Sequence, residues 1–476
     1  MSPLPSTAAH PAPTEVVFSR RIPLIVAAAF FMETLDSTIV ITALPAIAAG
    51  FHTSTLSLSL SITAYLVALS VFVPTAGWVS DRFGARNVFA AAIGLFTLSS
   101  LLCAISPNVW SFVAARALQG MAAAFMSPVG RLAVLRSAPR QRIIEAIAMI
   151  TWPGLIGPVL GPPLGGWIAT YASWHWIFLI NLPLGVAGVL LVLRHVPNET
   201  TPRRTPFDGR GFVLTALALA GLVHGMSLLG ERLDETWIAL TWLAVAGISG
   251  VLAVRHARKH PTPMLDLRAV RVPTFAMSVL TAGMVARIAI SATPFLLPLM
   301  FQIGFGLNAF QAGLMLLVYM AGNLAMKTGT TAVLRRFGFR QVLTINGGLC
   351  AASMAACALL SPSLSLWVIY PVLFIAGLTR SMHFTTVSSL TFADIAADQR
   401  AGASTLSAMT QQTSATLGVA FAALALALFR NLRGASTLAL SDFQHALLTG
   451  AILMAVAAVW ALRLPPDAGA EVSGKG

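Results

Sequence analysis

Charge is scarce in this sequence. Only 10% of its 476 residues are Asp, Glu, Lys or Arg, less than half the share of an ordinary soluble domain. That excludes a normally solvated globular surface. Acids are scarcer still, 16 against 30 Lys and Arg, for a formal net charge of +14. In a soluble chain that balance would point to nucleic acid. Here the cations fall in short segments between long apolar runs, so no nucleic-acid partner is expected. Cysteine is nearly absent: Cys103, Cys350 and Cys357 all lie inside apolar runs, which excludes a disulfide framework. The nine His residues show no paired ligand spacing on a helix, so no metal site and no cofactor is expected. GAEVSGK at 469–475 begins like a phosphate-binding loop, but Gly476 stands where Ser or Thr is required. Nothing else suggests an enzyme.

Apolar residues are what the chain has in excess, at 57% and a mean hydropathy of +0.81. Fourteen apolar runs reach spanning length, the first near 22–44 and the last near 445–463. About 20 residues at ~1.5 Å rise cross a hydrocarbon core of ~30 Å. Runs this long satisfy their backbones as helices, not as barrel strands. The expected fold is therefore an all-α polytopic membrane protein. With the N-terminus inside, 23 of the 30 cations fall in inner segments and three (Arg232, Arg430, Arg433) in outer loops. The remaining four, Arg116, Arg287, Lys327 and Arg380, lie within helices. One missed or invented helix would invert this alternation, so the positive-inside rule favours fourteen helices with both termini cytoplasmic.

An internal echo divides the chain. DRFGAR (81–86) and RRFGFR (335–340) each stand at the inner end of one helix, just before the next. Repeated halves are a transporter signature. The expected organisation is a cytoplasmic tail (1–21), a six-helix half (22–193), cytoplasmic linkers with two inserted helices (194–272), a second six-helix half (273–463) and a cytoplasmic tail (464–476).

The first run carries two acids, Glu33 and Asp36. Each costs roughly 2.5–3.5 kcal/mol inside a membrane even on a lenient scale. Three residues apart, they share a helix face. Arg116 in the fourth run lies at a similar depth, and a pair across helices one and four would relieve both burial costs. A carboxylate in such a pair can exchange its partner for a proton; a static ion pair is the other reading. Glu33, Asp36 and Arg116 are thus the candidate proton-coupling residues. Helices nine to fourteen contain no expected embedded acid, since Asp394, Asp398 and Asp442 fall between runs. They do contain Arg287 and Arg380 near the midplane and Lys327 nearer the inner face. Glu33, Gln119, Arg287 and Arg380 are the candidate substrate-binding residues, in a cavity whose charge disfavours dications.

Several motifs stand in order along the chain: LDSTIVITALP (35–45), GWVSDRFGAR (77–86), RALQG (116–120), GLIGPVLGPPLGGW (154–167), WHWIFLINLPLG (174–185) and the Asp208–Gly211 spacing. Together they resemble the fourteen-helix drug:proton antiporters of the major facilitator superfamily, most like multidrug-resistance exporters of bacterial inner membranes. The resemblance implies the major facilitator fold and proton-driven export of small amphipathic compounds by alternating access. It implies that Gly77, Asp81, Arg82, Gly84 and Arg86 latch one transport state. It also makes Gly157, Pro158, Gly161 and Gly165 an antiporter hinge. The implied partners are a small-molecule substrate, protons and the lipid bilayer. Two other readings remain: an exporter of anionic or zwitterionic metabolites, and a transport-inactive membrane sensor.

Overall fold

The computed structural model describes residues 20–137, 142–197, 206–231, 236–396, 399–465 and 468–469. The expected tails 1–21 and 464–476 fall mostly outside the described residues, as does 198–205 of the expected linker. Among the described residues there is no strand.

The first half holds α1 (Arg21–Gly50), α2 (Thr55–Phe83), α3 (Ala85–Ala104), α4 (Val109–Ser137), α5 (Ile143–Tyr171) and α6 (Trp176–His195). Two helices follow, α7 (Gly209–Glu231) and α8 (Thr236–Lys259). The second half opens with α9 (Pro273–Gly304), then runs through Ala309–Ala358, which Gly338 divides into α10 (309–337) and α11 (339–358). It ends with α12 (Leu366–Ala393), α13 (Arg400–Leu432) and α14 (Leu440–Trp460). Twelve helical stretches have the length and hydropathy to cross a membrane, and the 50-residue Ala309–Ala358 is one of them. Counting its two parts separately and adding the 29-residue α5 accommodates fourteen crossings.

The echo seen in the sequence is a register. Gly338 follows Gly84 by 254 positions (338 − 84), and both take positive φ, 77° and 84°. Glycine reaches that region without a Cβ penalty, so each reverses the chain in one residue. The same offset relates the helix ends Gly50 and Gly304, and Ala104 and Ala358. It also relates two N-caps. Ser54 accepts from the Ser57 N–H at 3.0 Å, and Asn308 from the Gln311 N–H at 2.8 Å. Three helices of each half therefore align without a gap.

One apolar core joins the halves at the end away from the start of α1. It runs from Ala43, Leu44 and Phe112 to Phe301, Leu316 and Phe443. At this far end Gln302 Nε2 donates to the Thr42 carbonyl at 2.9 Å, and the Phe310 N–H to Thr170 Oγ1 at 3.2 Å. Toward the near end the core divides: one cluster holds Val26, Phe89 and Val134 of the first half, another Leu334, Phe339 and Leu390 of the second. The halves share one core at the far end and have separate cores toward the near end, with Ser70 of α2 and Thr416 of α13 still 3.4 Å apart between them.

Two local expectations change. Asp442 does not lie between helices; it sits in the first turn of α14, 1% exposed. There it accepts from the Ala439 N–H at 2.8 Å and pairs with Arg433 at 2.7 Å, so its charge caps a helix N-terminus. Arg131, one of the 23 cations assigned to inner segments between runs, lies within α4, which runs on to Ser137.

Candidate functional site

The apolar run around Asp36 forms α1 over 30 residues and places this carboxylate inside the first half, 1% exposed. Arg116 on α4 is equally buried and donates to Asp36 Oδ2 at 2.7 Å. The same Nη1 donates to Gln119 Oε1. Gln119 lies one turn along α4 and gives its Nε2 to Asp36 Oδ1 at 3.0 Å and to Ser100 Oγ at 2.8 Å. Asn181 on α6 repeats both contacts, to Asp36 Oδ1 at 3.0 Å and to Ser100 Oγ at 3.2 Å. Tyr65 of α2 lies under the guanidinium, 4.4 Å from ring centroid to Arg116 Cζ, a cation–π contact. Five helices thus close a polar network around one ion pair in an otherwise apolar interior. Bonds to ionised groups are the strong ones, and water cannot compete here.

Sequence reasoning found Asp36, Arg116 and Gln119 but missed Asn181, Ser100 and Tyr65. The signal for Asn181 was present: it is an amide standing among Leu179, Ile180, Leu182 and Leu184. Gln119 is fully buried in this network and does not open to the space between the halves. Glu33 is 8% exposed and points elsewhere, to Ser127 Oγ at 2.7 Å. Its hydrogen-bond partners and those of Asp36 are different residues.

The candidate hinge lies against α1. A side chain at Gly157 would stand 2.3 Å from Thr34 Oγ1, at Gly161 2.1 Å from Thr38 Oγ1, and at Gly165 2.5 Å from the Ile39 carbonyl. Thr34 and Thr38 donate their hydroxyls back to α1 carbonyls at 2.8 and 3.0 Å, so their protons are satisfied within α1. On its other side α5 meets α10 of the second half. A Cβ on Gly166 would strike the Ala309 carbonyl at 2.2 Å, and one on Gly313 the Pro162 carbonyl at 2.4 Å. Small residues at this spacing are what allows helix backbones to touch. Pro158 lies inside α5 with Pro153, Pro162 and Pro163. Gly165→Ala is therefore expected to cost about 1–3 kcal/mol, the usual range for overpacking. The Cβ meets backbone there, and backbone cannot swing aside. Gly77→Ala, with nothing within 4 Å of its Cβ, should change stability by less than about 0.5 kcal/mol. Thermal unfolding in detergent compares the two, and equal losses would show that the α1–α5 seam is not tight.

The candidate latch clusters at the near end of α2. Gly84 makes the turn, but Gly77 meets no neighbour and needs no close approach in this conformation. Arg82 lies over Trp78, 5.6 Å from its centroid, and Trp78 packs on Phe207 at 4.8 Å. Arg86 Nε approaches Asn87 Oδ1 at 3.5 Å, and Asp81 is half-buried with bonded neighbours.

The second half holds its cations apart from the first half's acids. Arg287 is 2% exposed and donates to the Ser278 carbonyl at 3.1 Å, not to Glu33. Arg380 lies over Tyr319 at 5.8 Å and lines a small cavity with Thr293, Cys350 and Ala376. Lys327 Nζ donates to Thr385 Oγ1 at 2.9 Å.

One expectation about histidine fails. His256 lies in the last turn of α8 and His260 directly follows the helix, its N–H donating to the His256 carbonyl at 2.9 Å, which brings the two together with Asp208 beside them. The possible ligand atoms of the three lie within 4.8 Å of one another. Asp208 is already engaged: its Oδ1 accepts from the Gly211 N–H at 2.8 Å and His256 Nε2 at 2.7 Å, and its Oδ2 from the Met264 N–H at 3.1 Å. Burial pushes this carboxyl up, but the two backbone donors and His256 outweigh it and hold it below the usual carboxylate range. The cluster ties the start of α7, the end of α8 and the connection into α9 together. As donor chemistry it would also suit a divalent transition metal.

This architecture has known counterparts. The family model described as Major Facilitator Superfamily matches residues 26–419. The chain is 39% identical over 447 residues to "Putative multidrug resistance protein MdtD" of Pectobacterium atrosepticum, covering 93% of this chain and 95% of that protein. It is 37% identical over 449 residues to the protein of the same name in Escherichia coli O157:H7, covering 93% and 94%. Among solved structures, a bacterial homolog of the human lysosomal transporter Spinster matches with a TM-score of 0.66 at 14% identity, over 93% of this chain and 95% of that one. With its many spanning helices this is a multi-pass membrane protein, and it belongs to the Major Facilitator Superfamily.

Proposed function

We propose that the protein is a proton-coupled exporter of small amphipathic compounds, working by alternating access in a bacterial inner membrane. The observation that carries this reading is the Asp36–Arg116 pair, 2.7 Å apart and closed off inside one half. A transport-inactive sensor has no need of a buried carboxylate whose partner can be exchanged for a proton. The names of the relatives support drugs as cargo. A shared core at the far end with separate cores toward the near end fits a state open to the cytoplasm, if the near end faces inward as the cation asymmetry suggests. Protonation of Asp36 would weaken its hold on Arg116 and on the Gln119 and Asn181 amides, freeing α1 to move along α5.

A second reading, anionic or zwitterionic cargo, is favoured by Arg380 and Lys327. Both are partly exposed inside the second half, where no described acid offsets them. One experiment tests both readings. In proteoliposomes with an imposed pH gradient, neutral and singly charged amphipaths should be moved faster than by diffusion, and dications should not. Uptake that ignores the gradient would sink the antiport reading; efficient export of a dication would sink the charge argument.

A further inference from the structure

The two inserted helices bring one carboxylate and two imidazoles to a single point at their junction with the second half. Asp208 directly precedes α7, His256 lies in the last turn of α8, and His260 begins the connection into α9. One donor atom from each of the three falls within 4.8 Å of the other two. Zinc–ligand bonds of about 2.0–2.2 Å set donors roughly 3.3–3.6 Å apart in a tetrahedron. Small side-chain rotations therefore close the set.

The carboxylate is fixed in advance. The Gly211 N–H holds Asp208 Oδ1 at 2.8 Å and the Met264 N–H holds Oδ2 at 3.1 Å, one from each side of the junction. Outer bonds of this kind are what orient metal ligands. An ionised carboxylate accepts at about four positions, and the two backbone donors use one on each oxygen. A third faces His256 Nε2 at 2.7 Å, with a proton between the two groups. A metal ion takes the place of such a proton when it binds, and a lone pair on Oδ2 remains free. No described Lys or Arg pairs with this carboxylate, so a divalent cation has no fixed charge to displace. The Asp208 side chain is 5% exposed and that of His256 19%, which leaves the ion a way in and water little room to compete. His260 is the least committed of the three. The Thr262 N–H reaches its Nδ1 at a long 3.3 Å, and its Nε2 has no partner among the described residues.

We propose that Asp208, His256 and His260 bind one divalent transition-metal ion of the zinc class, with water completing its coordination. Two imidazole nitrogens and one carboxylate oxygen suit zinc and its neighbours, whereas magnesium and calcium take sets made of oxygen alone. The ion would staple the start of α7 to the end of α8 and to the connection into the second half. Phe207, next to Asp208, packs on Trp78 at 4.8 Å, so this staple adjoins the candidate latch. The assignment is independent of what the protein transports and in which direction.

The test uses the full-length protein in detergent, purified through a tag without histidine and stripped with a chelator. Equilibrium dialysis against zinc chloride should show one tightly bound ion per chain, and zinc should raise the unfolding midpoint to a plateau. Excess magnesium or calcium should not displace it. His260→Ala removes a ligand that makes only one long bond, so the fold should tolerate it. That variant should bind zinc at least tenfold more weakly and lose the thermal shift. His175→Ala, beside Trp174 at the far end, should change neither. Undiminished binding by His260→Ala, no bound zinc in the unaltered protein, or displacement by magnesium would each overturn the proposal. If His260→Ala fails to fold, anomalous scattering from zinc-soaked crystals of the unaltered protein decides: a peak among the three side chains supports the site, and its absence there refutes it.

Discussion

Arg116→Ala is expected to lose about 3–5 kcal/mol of stability, the range for breaking a buried ion pair from one side. Asp36 would keep two amide donors, Gln119 and Asn181, each at 3.0 Å, but no charge to answer its own. Tyr65 would also lose the cation that packs on its ring. The double variant Asp36→Leu with Arg116→Met should recover most of that loss, because an apolar pair needs neither partner nor solvent. Unfolding midpoints in detergent for the single and double variants measure both effects. A single-variant loss below about 1 kcal/mol would mean that the pair behaves like an exposed one.

Asp36→Asn should reduce gradient-driven export to background while the protein still reaches the membrane. The amide is isosteric and can still accept from Arg116, so folding should suffer less than in Arg116→Ala. It has no proton to exchange. The matched control is Glu33→Gln, one turn nearer the start of α1. Export by Asp36→Asn that still follows the imposed pH gradient would show that the proton binds elsewhere, and its loss in Glu33→Gln would say where.

Much of this molecule was legible in its residue types. Runs of apolar residues dictate spanning helices, because an unpaired backbone is too unfavourable in lipid to permit anything else. Two acids in the first run and Arg116 in the fourth required a partner apiece, and depth along the helices paired Asp36 with Arg116. Other parts were hidden for physical reasons. Asn181 joins the network from a helix whose rotation about its axis no run length reveals. Arg287 reads as a cavity residue by depth alone, and only its hydrogen bond to the Ser278 carbonyl shows that its side chain turns back along α9. Asp442 looked like a loop residue because nothing in the sequence shows that α14 begins two residues before it. His256 and His260 carried the signal openly in their spacing; Asp208, 48 residues before His256, joins them only through the packing of α7 on α8.

The unequal charge of the two halves has an electrical consequence. Leaving aside charges toward the helix ends such as Arg131 and Asp442, the first half holds Glu33, Asp36 and Arg116 within its spans, and the second holds Arg287, Lys327 and Arg380. On the proposed cycle, water reaches the centre first from one side and then from the other. Charges near the midplane then lie at the potential of whichever side is open, even if they hardly move. Each elementary charge that changes sides in this way exchanges about 2.3 kcal/mol with a membrane potential of 100 mV. The empty carrier would therefore reorient at a rate set by voltage, and an exchange with electroneutral stoichiometry would still quicken or slow as the cell polarises.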